Sequence, residues 1–274
     1  MAVGLLSLTG CARALRPSAR SSALRIALLH LEVRVGERAH NVALLQRAMQ
    51  RAAEAGARWV VTPELAITGY HFDRTLGVDW LGPAPDRFIG QLAQTCVPHG
   101  LTLFLGHLER PRPNGPAYNT LFVIDARGTI LGAHRKIQVI PQAEDWASPG
   151  PQPQLLHVDG VAVGLLLCAD AWPPTHAAHL REQGAEILVS AATWPEGEHG
   201  PGDTWEKRSA ETGLPLLVAN RTGCEPGFDV RSARTVVAQQ GRRLVAHQSE
   251  HSAVVLIDWS RDGGTAAFVR TLAL

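Results

Sequence analysis

"LLHVDGVAVGLLLCADAWPP", residues 155–174, is the stretch on which the fold turns. Two apolar runs flank Asp159-Gly160, a dipeptide that favours the tight turn of a β-hairpin. The second run, Val161 to Leu167, is strand length and mostly apolar, and reads as a buried strand. It stops at Cys168, where Asp170, Trp172 and two prolines break the pattern. A hairpin gives this strand an antiparallel neighbour. A purely parallel, doubly wound sheet has no place for one.

Outward from this hairpin the same grammar repeats. Leu24 to Leu31 reads as a first strand. Asn41 is placed to cap a helix with Val42, Leu45, Met49 and Ala52 on one face, and Gly56 stands at its end. "ARWVVT" follows as a strand that runs out at Pro63-Glu64. Asp86 to Gly100 reads as a helix before "LTLFLG". Thr175 to Gly184 precedes "AEILVSA", and Thr204 to Gly213 precedes "LPLLVAN". Further hairpins turn at Ala126-Arg127-Gly128 and near Gln240-Gly241. Helices alternating with strands, with hairpins between, predict mixed sheets with helices outside. Absence of a Pro/Ser-rich linker favours one domain over residues 23–274.

Composition narrows the function classes. In 274 residues, 26 Lys and Arg stand against 25 Asp and Glu, a net charge of +1. No basic field points to nucleic acid or an anionic membrane. Apolar runs fall short of a membrane span. The four cysteines, at 11, 96, 168 and 224, form no CxxC pair. No disulfide framework is expected, and a reducing, cytoplasmic compartment is. Residues 1–22 carry basic but no acidic side chains and read as a disordered or leader-like extension. "LTGC" at Leu8–Cys11 looks like a lipoprotein cleavage box, but no basic residue precedes its short apolar part.

Three reactive side chains stand just past apolar strands: Glu64, Lys136 and Cys168. Each has a plain alternative as a cap, a solvated cation or a core thiol. Together they form an acyl-transfer set. A carboxylate takes the thiol proton and returns it to a leaving amine. The thiolate attacks a carbonyl or nitrile carbon, and an ammonium steadies the anionic oxygen.

"VVTPELAITGY", "HRKIQVIPQAEDW" and "VGLLLCADAW" resemble the three signature blocks of the nitrilase (carbon–nitrogen hydrolase) superfamily, in that family's order. The flanking "YNTLFVIDARGTILGAHRK", "LREQGAEILVSAATWPEG" and "ETGLPLLVANRTG" extend the resemblance over about residues 23 to 260. It implies a four-layer α-β-β-α sandwich with mixed sheets and a homodimer or larger homo-oligomer. It makes Glu64 the general base and acid, Lys136 the stabiliser of the tetrahedral intermediate and Cys168 the nucleophile. Glu144 would position substrate or lysine, Asn119 would support the site, and the Ala169 N–H would complete the oxyanion hole. No metal or organic cofactor is called for. Two departures stand out. Trp172 replaces the arginine of many amidase-type members, and Ala169-Asp170 replaces the Trp-Glu of nitrilases proper.

The expected reaction is cleavage of a small linear amide or N-carbamoyl compound through a cysteine thioester. Nitrile hydrolysis and acyl transfer to an amine are the alternatives on the same residues. A non-catalytic binding module would be expected to have lost one of the three. Tyr70, His71, Phe72, Trp146, Trp172 and Trp194 are the expected pocket walls. "WPEGEHGPGDTW" (194–205) is either a lid or an ordinary surface loop. The helical pair His176/His179 and the pair His247/His251 lack any accompanying metal motif.

Overall fold

Asp159 and Gly160 both adopt positive φ, 50° and 80°, and so do Gln240 and Gly241, at 51° and 75°. Two consecutive left-handed residues are the requirement of a type I′ turn, whose twist matches that of its flanking strands. Both hairpins form where the sequence predicts them. The structure is a computed structural model that describes residues 23–274. The leader-like segment 1–22, with Cys11, lies outside the described residues.

In chain order the elements begin β1 (Leu24–His30), α1 (Arg38–Glu54), β2 (Trp59–Val61) and the short α2 (Asp73–Leu76). Next come α3 (Arg87–His99), β3 (Thr102–Glu109), β4 (Tyr118–Ile124), β5 (Ile130–Arg135), β6 (Gln154–Val158) and β7 (Val161–Leu167). A 3₁₀ turn, Cys168–Ala171, leads to α4 (Pro174–Glu182), β8 (Ile187–Ala192), α5 (Thr204–Thr212) and β9 (Leu216–Asn220). The two-residue strands β10 (Cys224–Glu225) and β11 (Phe228–Asp229) pair with each other. The chain then runs through β12 (Thr235–Gln239), β13 (Arg242–His247), β14 (Ala253–Ser260) and β15 (Thr265–Ala273).

One sheet has the order β15-β14-β1-β2-β3-β4-β5 and the other β13-β12-β9-β8-β7-β6. Each has three parallel strands at its centre and antiparallel strands outside them. Alternation along β1 shows how the layers stack. Ile26 and Leu28 join the large apolar cluster shared with β7, β8 and β9, whereas Ala27 and Leu29 join the cluster beneath α1 and α3. Trp59 and Val61 against Val60 repeat this in β2. Period-two burial on both faces means that each face is covered, one by a sheet and one by helices. Ala177 and Leu180 of α4 and Trp205 of α5 cover the second sheet. The four-layer α-β-β-α sandwich is the observed fold.

Asn41 corrects one expectation. The helix starts three residues earlier, and its cap position, Glu37, makes no side-chain cap bond. Asn41 is fully buried in the first turns. Its amide donates to the carbonyls of Arg34 (2.6 Å) and Ile67 (2.9 Å) and accepts from the Arg34 N–H (3.0 Å). Its hydrogen-bonding capacity ties two loops to the helix instead of capping it.

Candidate active site

β2, β5 and β7 end close together, and the residues just beyond them meet there. Glu64 follows β2 through Thr62 and Pro63. Gly106 on β3 makes that path available: a Cβ there would lie 2.4 Å from the Pro63 carbonyl oxygen and 2.8 Å from Glu64 Cα. The Gly106 N–H donates to Thr62 Oγ1 (2.9 Å). Glu64 Oε2 accepts from the Thr193 N–H (2.9 Å), at the end of β8, and Thr193 Oγ1 donates to the Glu64 carbonyl (3.2 Å). Glu64 of the first sheet is thereby bonded to the second.

Lys136 follows β5, and its N–H donates to the Asn119 carbonyl (2.8 Å). Its ammonium donates to Glu64 Oε1 and to both oxygens of Glu144, each at 2.8 Å. Asn119 Nδ2 donates to Glu64 Oε1 and Glu144 Oε1, again at 2.8 Å. All four side chains are fully buried. Such a cluster persists because each charge has opposite charge and hydrogen bonds to replace water.

Cys168 opens the 3₁₀ turn with φ at 52°, in the left-handed region that non-glycine residues seldom adopt. Its Sγ lies 4.0 Å from the Thr193 carbonyl oxygen. Asp170 fixes the turn. Its Oδ1 accepts from the N–H groups of Ile137 (2.9 Å) and Gln138 (2.8 Å), directly after Lys136. Its Oδ2 accepts from the Leu167 N–H (3.1 Å) and pairs with His134 Nε2 (2.7 Å). One carboxylate therefore joins the cysteine's turn to the lysine's segment.

Burial and neighbours set the protonation states. Burial pushes the Cys168 thiol well up, and Glu64 adds to this against the opposing Lys136. Burial likewise raises the Glu64 carboxyl; Lys136 opposes and Glu144 adds to the rise. Burial disfavours the Lys136 ammonium, but Glu64 and Glu144 outweigh it and hold its pKa well above the usual value. Lys136 thus stays charged, while burial disfavours the ionised forms of both the thiol and the carboxyl.

Above Cys168 opens a cavity of about 470 Å³. Tyr70, His71, Trp172 and Trp194 line it as expected, together with Ala169, Thr193 and the loop from Pro195 to Gly200. The candidate lid is a cavity wall over 194–200, pinned by the Trp194 indole N–H donating to the His199 carbonyl (2.8 Å). Phe72 and Trp146 stand apart from the cavity. They pack edge-to-face at 4.9 Å, in a cluster with Leu65, Leu81 and Leu108. The burial available behind the loop outweighs exposure at the cavity.

Several contributors escape sequence reasoning. Phe228 lines the cavity from the two-residue strand β11, too short to carry a periodic signal. Glu225 accepts the N–H groups of Tyr70 (2.8 Å) and His71 (2.9 Å) and pairs with buried Arg221, so it shapes that wall from behind. Among the described residues no group of three or more His, Cys, Asp or Glu is arranged to hold a metal, and no helix is long and apolar enough to cross a membrane.

A family model described as carbon-nitrogen hydrolase matches residues 25–263. The chain belongs to the carbon-nitrogen hydrolase family. Other proteins of similar sequence or structure agree with this carbon-nitrogen hydrolase assignment. The chain is 27% identical to a citrullinase of Francisella tularensis subsp. tularensis, covering 76% of this chain and 77% of that protein. It is 25% identical to a 2-oxoglutaramate amidase of Bacillus subtilis, covering 84% and 88%. A solved mutant of the amidase from Nesterenkonia sp. AN1 superposes with a TM-score of 0.78 at 25% identity, covering 89% of this chain and 92% of that one. That mutant shows covalent addition of the acetamide moiety of fluoroacetamide at its active site cysteine.

Proposed function

We propose that this carbon-nitrogen hydrolase cleaves the non-peptide C–N bond of a small linear amide or N-carbamoyl compound through a thioester on Cys168. The observation that carries the reading is one ammonium, Lys136, held by Glu64 and Glu144 beside a left-handed cysteine at the cavity floor. Glu64 takes the thiol proton as Sγ attacks the carboxamide carbon. Lys136 and the Ala169 N–H stabilise the oxyanion of the tetrahedral intermediate. Glu64 then gives its proton to the leaving nitrogen, and ammonia or an amine departs. Water attacks the thioester, Glu64 accepts its proton, and the thiolate leaves and is reprotonated as the acid is released. Each proton removed is returned, so the chain's own groups supply every step.

Ammonia release from a panel of amides, nitriles and carbamoyl amines tests the reading. Cys168→Ala is expected to lower turnover by at least about a thousandfold. Glu64→Gln is expected to lose turnover as severely, since both half-reactions need its carboxylate. An acyl adduct on Cys168 is expected in wild-type enzyme quenched during turnover, read by intact-mass spectrometry. Full activity in the alanine variant would end the mechanism. Release from nitriles but not amides would replace the substrate class, and acyl transfer to added hydroxylamine in preference to water would make the enzyme a transferase.

A further inference from the structure

The walls of the Cys168 cavity bear on the part of the substrate beyond the scissile bond. Four aromatic rings line it. Tyr70 and Phe228 lie 5.4 Å apart at 36°, and Trp172 and Trp194 lie 5.5 Å apart at 60°. Ile140 and Ala143 add aliphatic surface. Trp172 remains 50% exposed, so this large apolar wall is open to whatever enters.

No Lys or Arg lines the cavity among the described residues. Lys136 lies 5.9 Å from the Tyr70 ring centroid, engaged by its two carboxylates. Arg208, beneath Trp172, donates to the Trp172 carbonyl (3.3 Å) and to Glu211 (3.0 Å). Burial lowers the His71 pKa, so that ring enters neutral at ordinary pH. The formal charges on the wall are carboxylates. Glu196 is paired with Arg234 and Arg243, each at 3.4 Å, whereas Glu198 is exposed on the same loop.

We propose that the enzyme selects amides whose group beyond the acyl carbon is uncharged and apolar, and discriminates against those ending in a carboxylate. This rests on the amide-hydrolase reading and specifies its substrate. An apolar tail gains from leaving water against aromatic walls. A carboxylate tail loses hydration with no cation on the wall to replace it. An ammonium tail loses hydration too. Exposed Glu198 is screened by solvent, so it neither compensates an ammonium nor adds much to the cost of a carboxylate. Desolvation against the aromatic walls sets both penalties.

Three amides of equal chain length isolate the effect: hexanamide, adipic acid monoamide and the ω-amino analogue of hexanamide. Hexanamide is expected to exceed both charged amides in kcat/KM by at least about tenfold. Parity or preference for either charged tail would overturn the proposal. Calorimetric Kd values on Cys168→Ala give the same ranking without turnover. If no amide is hydrolysed by the wild type but the ranking of Kd persists, the hydrolase reading fails and the cavity preference stands; equal Kd values sink the preference itself. Trp172→Arg is expected to raise the monoamide-to-hexanamide ratio at least about fivefold. An unchanged ratio would contradict the part assigned to this wall.

Discussion

Glu64 can act as a base only when ionised, and its surroundings make that harder. Burial raises its pKa above the ordinary 4.5, and the like charge of Glu144 raises it further. The acidic limb of kcat/KM is therefore expected above the usual glutamate range. Glu144→Gln removes the like charge and leaves Lys136 with Glu64 as its one carboxylate, and both changes lower the Glu64 pKa. Its acidic limb is expected to shift to lower pH while kcat falls. A pH–rate profile in which the limb stays or rises would contradict the coupling. At this scale the positions of Glu64, Lys136 and Cys168 just past apolar strands were legible, and it was the resemblance of their three blocks, in order, to those of a known family that singled them out as a set. Phe72 and Trp146 were not. An aromatic residue in a loop has no period to say which way it points, and packing at 4.9 Å decided it.

Two connections between elements hold these side chains. Gly106 lets β3 pass close to the Pro63-Glu64 backbone. Gly106→Ala places a methyl at contact distances of 2.4 and 2.8 Å, so the loop carrying Glu64 must shift. Activity is expected to drop by about tenfold or more, since small misplacements of reacting groups are costly. Gly90→Ala in α3 meets nothing within 4 Å and is expected to leave activity unchanged with equal or greater stability. Comparable activity in the two variants would show that the close approach does not matter. Asp170 makes the second connection. Burial opposes its charge, but His134 and the backbone donors outweigh this and keep its pKa low. Asp170→Asn would face those N–H donors with an amide that lacks the charge. Kcat is expected to fall by about tenfold or more with the fold retained, read by assay alongside circular dichroism; an unchanged kcat would remove the positioning role. Turn dipeptides at 159–160 and 240–241 announced themselves because few residues tolerate that backbone. Asn41 did not, because a capping side chain and one tying loops together look the same in sequence.

Across the whole molecule, His30 ties the sheets to each other. From β1 its Nδ1 lies 3.0 Å from the Asn220 carbonyl and 3.1 Å from Thr235 Oγ1, and its Nε2 lies 3.1 Å from the Ser249 carbonyl. Burial pushes its pKa from 6.5 to about 4. Below 6.5 the unfolded chain takes up a proton that the folded one refuses, so stability is lost as pH falls toward 4. That contribution amounts to about 3 kcal/mol when fully expressed. Denaturant titrations across this window are expected to show a steeper loss for wild type than for His30→Gln. Equal slopes would exclude His30 as the source. The division of reactive groups between layers has its own consequence. Glu64 and Lys136 follow strands of one sheet and Cys168 a strand of the other, so the gap across which the proposed proton transfer runs is set by the thickness of the apolar filling between them. Compressing or thinning that filling would detune the chemistry while leaving every reacting side chain unsubstituted, which makes turnover a gauge of interior spacing.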